Sequence, residues 1–364
     1  APATQAPTEA GTARADLRGL GAQRTLTLMD GRRLVPSAAV DLNQIPTLLI
    51  ERAEVVTGGA SAQWGSDAVA GVVNLITKRN FKGLEARLQS GISRYGDNRE
   101  ISGAILAGTR FADDRASIMV SAEYTKNEGT GYLSSRPWGD EEFVLFNNPA
   151  PIVNGVPSNG RSRRWIASHV HLATMTPGSI VTSGPLRGMQ FGPGGTASNF
   201  VYGALPGAVN MIGGEGHGGN FAKNLTYAPE TERYSLFGRF EYQISPAFTF
   251  FAETLMADTD VRSNSVVAKD QGPVALTPTA SITNPLVIRL DNAFLPTSLR
   301  DAMVANSLSY VNMGRISFDL GAMDPRLQNR TYRIASGFRR SVGAWTWDAY
   351  YQFAPKDYQK GVAN

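Results

Sequence analysis

The chain has 364 residues, 35 lysines and arginines against 31 aspartates and glutamates, a formal net charge of +4, and no cysteine. That length allows two domains and a sizeable core, and the missing thiols exclude disulfides and thiolate metal sites. No run of about 18 apolar residues occurs, which excludes a transmembrane helix but not a strand barrel. The arginines are scattered and face carboxylates across strand patterns, which argues against nucleic acid.

Residues 1–16, APATQAPTEAGTARAD, lack the basic start and apolar run of a secretory signal. Thr25 to Met29 alternates as a strand, and Asp30-Gly31 is a turn signal because glycine tolerates positive φ. Ile45 to Ile50, with Asp41 ahead of it and Pro46 near its start, suits a short helix, and Ala53 to Val56 reads as a strand. Gly58, Gly59, Gly65 and Gly71 demand sharp turns or close backbone approach. Val72 to Thr77 is a β-branched run typical of a buried strand.

Four pieces stand here in fixed order: Arg18-Gly19, RTLTLMDGRRL from Arg24 to Leu34, IPTLLIERAEVV, and GGASAQWGSDAVAGVVNLITK ending at Lys78. Together they resemble the plug domain of TonB-dependent outer-membrane receptors. The resemblance implies a mainly β fold, in which residues 1–80 are the C-terminal part of an α+β plug. Residues 81–364 would be the N-terminal part of a transmembrane β-barrel of 22 antiparallel strands. The chain would then begin inside the plug, without the upstream signal peptide and TonB-contacting segment.

After Phe81 the pattern changes to segments of about ten residues with period-two alternation. Leu84, Ala86 and Leu88 oppose Glu85, Arg87 and Gln89, and Ile118, Val120 and Tyr124 oppose Ser117, Ser121 and Glu123. Tyr234, Leu236, Phe240 and Tyr242 oppose Arg233, Arg239, Glu241 and Gln243, a face too charged for a sandwich core, so it is expected to meet water or a polar lumen. Trp345, Trp347, Tyr351 and Phe353 oppose Thr346, Asp348 and Gln352, and aromatics near strand ends suit interfacial girdles. About seven such strands are expected, and an open set of seven leaves edges that lipid cannot satisfy, so the chain reads as a fragment.

Connections alternate in length. Short turns fall near Ala112 to Arg115, Ser245 to Ala247 and Arg340 to Gly343, against a short loop around Tyr95 to Asn98 and long loops at 128–230 and 259–328. Outer-membrane barrels place short turns on the periplasmic side and long loops outside.

The resemblance implies a seating role for Arg18, paired with wall carboxylates. The Arg-Gly-Pro common in the family is replaced by Thr57-Gly58-Gly59, so a second seating arginine is absent and an incomplete charge cluster is expected. It also implies a ligand-facing apex at Pro36, Ser37, Ala38 and Ala39, with Gln23 a further candidate. In the first long loop Arg161, Arg163, Arg164 and Trp165 could grip an anionic chelate. His169 and His171 could share a strand face, but no carboxylate cluster completes a metal site, so no metal is expected. No nucleophile elbow, HExxH or P-loop occurs, and neither enzyme nor cofactor is expected.

The expected function is active import of a scarce nutrient, a siderophore, carbohydrate or similar ligand, across the outer membrane of a Gram-negative bacterium. The implied partners are TonB with ExbB and ExbD, outer-membrane lipid and the ligand. A passive porin or adhesin barrel explains the strands but not the plug motif, and a soluble β-rich binding module explains the loops but not the charged second faces.

Overall fold

A computed structural model describes residues 11–34, 40–58, 60–137, 143–207, 209–216, 226–263, 267–270, 275–277, 280–281, 286–321 and 324–363. The chain divides into two compact units, one of residues 1–131, 227–263 and 325–362, the other mainly of 132–226 and 264–324. The division follows neither residue 80 nor the chain order, because the two long connections fold together as a unit.

The first unit holds a small sheet of β1 (Thr25–Met29), β2 (Arg32–Arg33), β3 (Ile50–Val56) and β4 (Gly71–Thr77), in the order β2-β1-β4-β3. β1 runs parallel to β4, and β2 and β3 run antiparallel to their neighbours. Asp30 and Gly31, at φ 51° and 77°, make the tight turn that their sequence signals, since both positions require the left-handed region. The expected short helix is two 3-10 turns, Leu42–Gln44 and Thr47–Leu49. Pro46 separates them because it lacks an N–H and holds Ile45 extended, at φ −103° and ψ 123°.

Beside this sheet lies an antiparallel meander of β5 (Gly83–Gly91), β6 (Glu100–Phe111), β7 (Ala116–Asn127), β8 (Glu230–Ser245), β9 (Phe248–Arg262), β10 (Asp324–Val342) and β11 (Trp345–Phe353). A further strand, β12 (Lys356–Ala363), also pairs with β10. Among the described residues the path from β5 to β11 is open. β9 runs to Arg262 and β10 starts at Asp324, so the second long connection is narrower than its sequence pattern indicates.

Alternation sorts the two faces of the meander. One carries Leu88, Ile105, Val120, Leu236, Ile334 and Trp345, an apolar set that is all exposed. The other, expected to meet water or a polar lumen, stays exposed at Arg87 and Gln89 of β5 but packs on the small sheet across the middle strands. Leu106, Met119, Phe237 and Leu255 from the strands join Met29, Leu34, Val40, Ile45, Leu48, Leu49 and Leu75 in one buried cluster.

The second unit contains a sheet centred on the strand Tyr310–Ile316, which pairs with Ile180–Val181, Leu286–Arg289 and Lys269–Asp270. The helix Thr297–Ala305 packs on it through Leu299 and Met303. Among the described residues, the long connections thus form strands and a helix.

Candidate functional site: the contact between plug and wall

The inner face of the meander presents Arg239 on β8, Glu253 on β9, Arg333 on β10 and Asp348 on β11, all at inward positions of the period-two pattern. Arg239 and Glu253 are direct cross-strand partners, with the guanidinium Nε donating to Oε1 at 3.2 Å. Glu253 takes Arg333 Nη1 at 3.1 Å on its other oxygen. All three are buried, and a buried charge is tolerable only when paired.

The small sheet completes the network. Arg239 Nη2 donates to Asp30 Oδ2 at 2.5 Å and to Thr77 Oγ1 at 2.7 Å, and its Nη1 donates to the Lys78 carbonyl at 3.0 Å. Arg32 pairs with Asp348 at 2.5 Å and lies 3.5 Å from Glu253. Its guanidinium is held between the rings of Phe251 and Tyr350, 4.2 and 4.6 Å from their centroids, an arrangement that suits a planar cation. Three guanidiniums, Arg32, Arg239 and Arg333, thus face three carboxylates, Asp30, Glu253 and Asp348, with Arg79 at the edge, 3.8 Å from Asp30.

Neutral contacts flank the charges. The Gln44 side chain donates to the Asn329 carbonyl at 3.1 Å and accepts from Thr331 Oγ1 at 2.8 Å. Gln352 donates to the Arg33 carbonyl at 2.8 Å, and Thr47 donates through both N–H and hydroxyl to Glu123 at 2.7 Å.

Burial would raise the Asp30 carboxyl, but Arg239, two hydrogen bonds from Thr77 and the more distant Arg79 outweigh it and hold it below the ordinary carboxylate value. Asp41 goes the other way. Burial raises it, and the N–H groups of Ala13 and Asn43, with Arg233 and Arg14, offset this only partly. Asp41 Oδ1 accepts from both those N–H groups, and Asn43 Nδ2 donates to the Gly11 carbonyl, so residues 11–13 are tied to the segment 41–43.

The sequence-derived candidates are placed otherwise. Arg18 is exposed, at φ 60°, and makes no ion pair among the described residues. The described wall strands thus do not hold it, and the seating contacts they do make come from other residues. Arg32 and Asp30 make the seating contacts, and Arg32 Nη1 and Arg333 Nη2 are left without a hydrogen bond among the described residues. Gln23 is exposed in a 3-10 turn, and Pro36, Ser37, Ala38 and Ala39 lie outside the described residues. In the second unit Arg161, Arg163 and Arg164 are exposed. Trp165 is half-buried against Phe146 at 5.0 Å, with the Arg161 guanidinium 5.8 Å from its ring. His169 stands at φ 52°, outside the strand Val170–Leu172, and the His171 ring contacts the Gly214 carbonyl, so the two do not share a strand face.

Arg32, Asp30, Arg239, Glu253 and Arg333 escaped the sequence reading as a set. A usable signal existed in the charges at alternate positions of β8, β9 and β10, with opposite signs across the register.

The site is thus a small mixed sheet seated on the charged inner face of an antiparallel wall. Residues 3–72 match the family model described as the TonB-dependent receptor plug domain. Among solved structures, a mutant of the ferric enterobactin receptor PfeA from Pseudomonas aeruginosa is 14% identical. It covers 93% of this chain and 34% of its own, with a TM-score of 0.43. The siderophore receptor PirA from the same organism is 14% identical over 95% of this chain and 46% of its own, at a TM-score of 0.36. The copper transporter OprC is 8% identical over 98% and 42%, at 0.37. This chain thus spans between a third and a half of the length of these receptors.

Proposed function

We propose that the chain serves in TonB-dependent import of a ligand across the outer membrane of a Gram-negative bacterium. The observation that carries this is the buried network joining Asp30 and Arg32 of the plug to Arg239, Glu253, Arg333 and Asp348 of the wall. Ion pairs hold strongly while dry, but water solvates both partners once it enters, so a plug seated on charges can be displaced at lower cost than one seated on a wholly apolar core. A passive porin gains nothing from such a seat.

In this reading TonB, energised by ExbB and ExbD, supplies the work, and outer-membrane lipid covers the apolar outer face. Pro36, Ser37, Ala38, Ala39 and Gln23 meet ligand from the plug, and Arg161, Arg163, Arg164 and Trp165 meet it from the loops. A siderophore or other metal chelate suits the arginines, and carbohydrate is the second ligand class. The test is uptake by cells producing the intact receptor, measured with and without a protonophore. Loss of accumulation with surface binding retained is expected, whereas uptake indifferent to the protonophore contradicts active import.

A further inference from the structure

We infer that the contact between plug and wall binds a small monovalent anion, of chloride or bromide size, through the guanidiniums of Arg32 and Arg333.

Among the described residues the charges of this network do not balance. The side chains of Arg32, Arg239 and Arg333 are at most 4% exposed, against two carboxylates buried as deeply, Asp30 and Glu253. Asp348 is 30% exposed and shares its charge with water. The partly buried rim adds Arg79 and Arg339 on one side and Glu241 and Asp348 on the other, which leaves the same excess of one positive charge. Arginine does not lose its proton inside a protein, so titration cannot remove that excess.

The hydrogen bonds are short of acceptors at the same place. Arg239 uses all three nitrogens, on Glu253, on the Lys78 carbonyl, and on Asp30 with Thr77. Arg333 donates through Nε to Gln352 Oε1 and through Nη1 to Glu253, and Arg32 donates through Nη2 to Asp348. Arg32 Nη1 and Arg333 Nη2 are buried and have no acceptor among the described residues. Both guanidiniums converge on one carboxylate, with Arg32 Nη1 3.5 Å from Glu253 Oε1 and Arg333 Nη1 3.1 Å from Oε2. The remaining unbonded atom of the network, Glu241 Oε1, stands at the rim beside Arg339. A water could accept from these N–H groups but would leave the charge in place, whereas a small anion answers both needs. The rings of Phe251 and Tyr350 against Arg32, and the buried Leu34, make the surroundings apolar, which suits a halide better than an oxyanion that needs further donors.

Urea unfolding of the full chain in detergent tests this, with sodium chloride replacing sodium gluconate at constant ionic strength, gluconate being too large for a buried site. The midpoint should rise with the logarithm of chloride concentration once the site fills, because an ion bound by the folded state alone stabilises it. Bromide should act alike, and crystals grown in bromide should show an anomalous peak touching Arg32 Nη1 and Arg333 Nη2. Arg32→Lys and Arg333→Lys keep the charge but lose the planar fork, and each should flatten the chloride response. If neither variant folds, the titration of the unsubstituted chain and the bromide peak still decide. A midpoint indifferent to chloride, or no bromide peak at those nitrogens, overturns the inference and leaves the N–H groups to water. A chloride response undiminished in both variants overturns it as well, since the ion then acts elsewhere. Anion binding is read without TonB or ligand, so its outcome is independent of the uptake test.

Discussion

Arg239 on the wall and Asp30 at the plug turn meet at 2.5 Å, both nearly fully buried and 209 residues apart in sequence. The same aspartate accepts the N–H and hydroxyl of Thr77, so one carboxylate holds the end of β4 and docks the plug, while the residue's backbone at φ 51° makes the β1–β2 turn. Turn chemistry and docking chemistry therefore share a residue.

Arg32 is stacked as well as paired, which a lysine cannot reproduce. Arg32→Lys should keep the charge yet lose about 1–3 kcal/mol from the ring contacts and the planar fork. Urea unfolding of the detergent-solubilised chain, followed by tryptophan fluorescence, reads the change. An unaltered midpoint would mean that charge alone matters at this position.

The two plug carboxylates should respond oppositely to acid. Asp30 sits below its unfolded value, so its stabilisation is present above that value, about 3.9, and is lost as pH falls through the lower folded value. Asp41 sits above its unfolded value, so its favourable contribution belongs to the protonated form and is lost as pH rises through the raised folded value. Mild acidification should therefore firm the tie between residues 11–13 and 41–43 before stronger acid loosens Thr77. Amide exchange across that range checks the order, and Asp41→Asn should remove the first effect while keeping the tie.

Gln44 fills both a carbonyl and a hydroxyl of the wall from a buried position. Gln44→Ala strands the Asn329 carbonyl and the Thr331 hydroxyl, at a cost of about 1–3 kcal/mol. Thermal unfolding should show this loss, and Gln44→Glu should fare no better, because a carboxylate cannot donate to the carbonyl.

Leu236 faces outward between Ala122 and Met256. In lipid, Leu236→Arg should cost about 2–4 kcal/mol, falling toward zero if the position lies at the membrane surface. Folding into vesicles compared with folding in detergent isolates the lipid contribution. A substitution neutral in vesicles would remove this face from the bilayer.

Much of the first unit was legible in sequence. Thr25–Met29 and the Asp30-Gly31 turn follow directly from alternation and positive-φ chemistry, and the wall strands follow from period-two patterns whose long reach survives ambiguity at single positions. The charged face of β8 was legible as a face, but its partner was not. Alternation says that Arg239 and Glu241 share a side, while what covers that side depends on Asp30, distant in sequence. Arg18 shows a related limit: a motif fixes a residue's place in the chain, but only register and turn geometry decide which wall strand it can reach. The long connections look like loops in the sequence because the short strands there, such as Ile180–Val181, give too little alternation to be seen.

The seat of the plug is tested most directly by a double-mutant cycle between Asp30→Asn and Arg239→Gln, read as unfolding free energy in detergent. A coupling of about 1–3 kcal/mol is expected, because each single change strands a buried partner that the double change relieves. Additive losses within a few tenths of a kcal/mol would contradict a plug held on the wall by this pair.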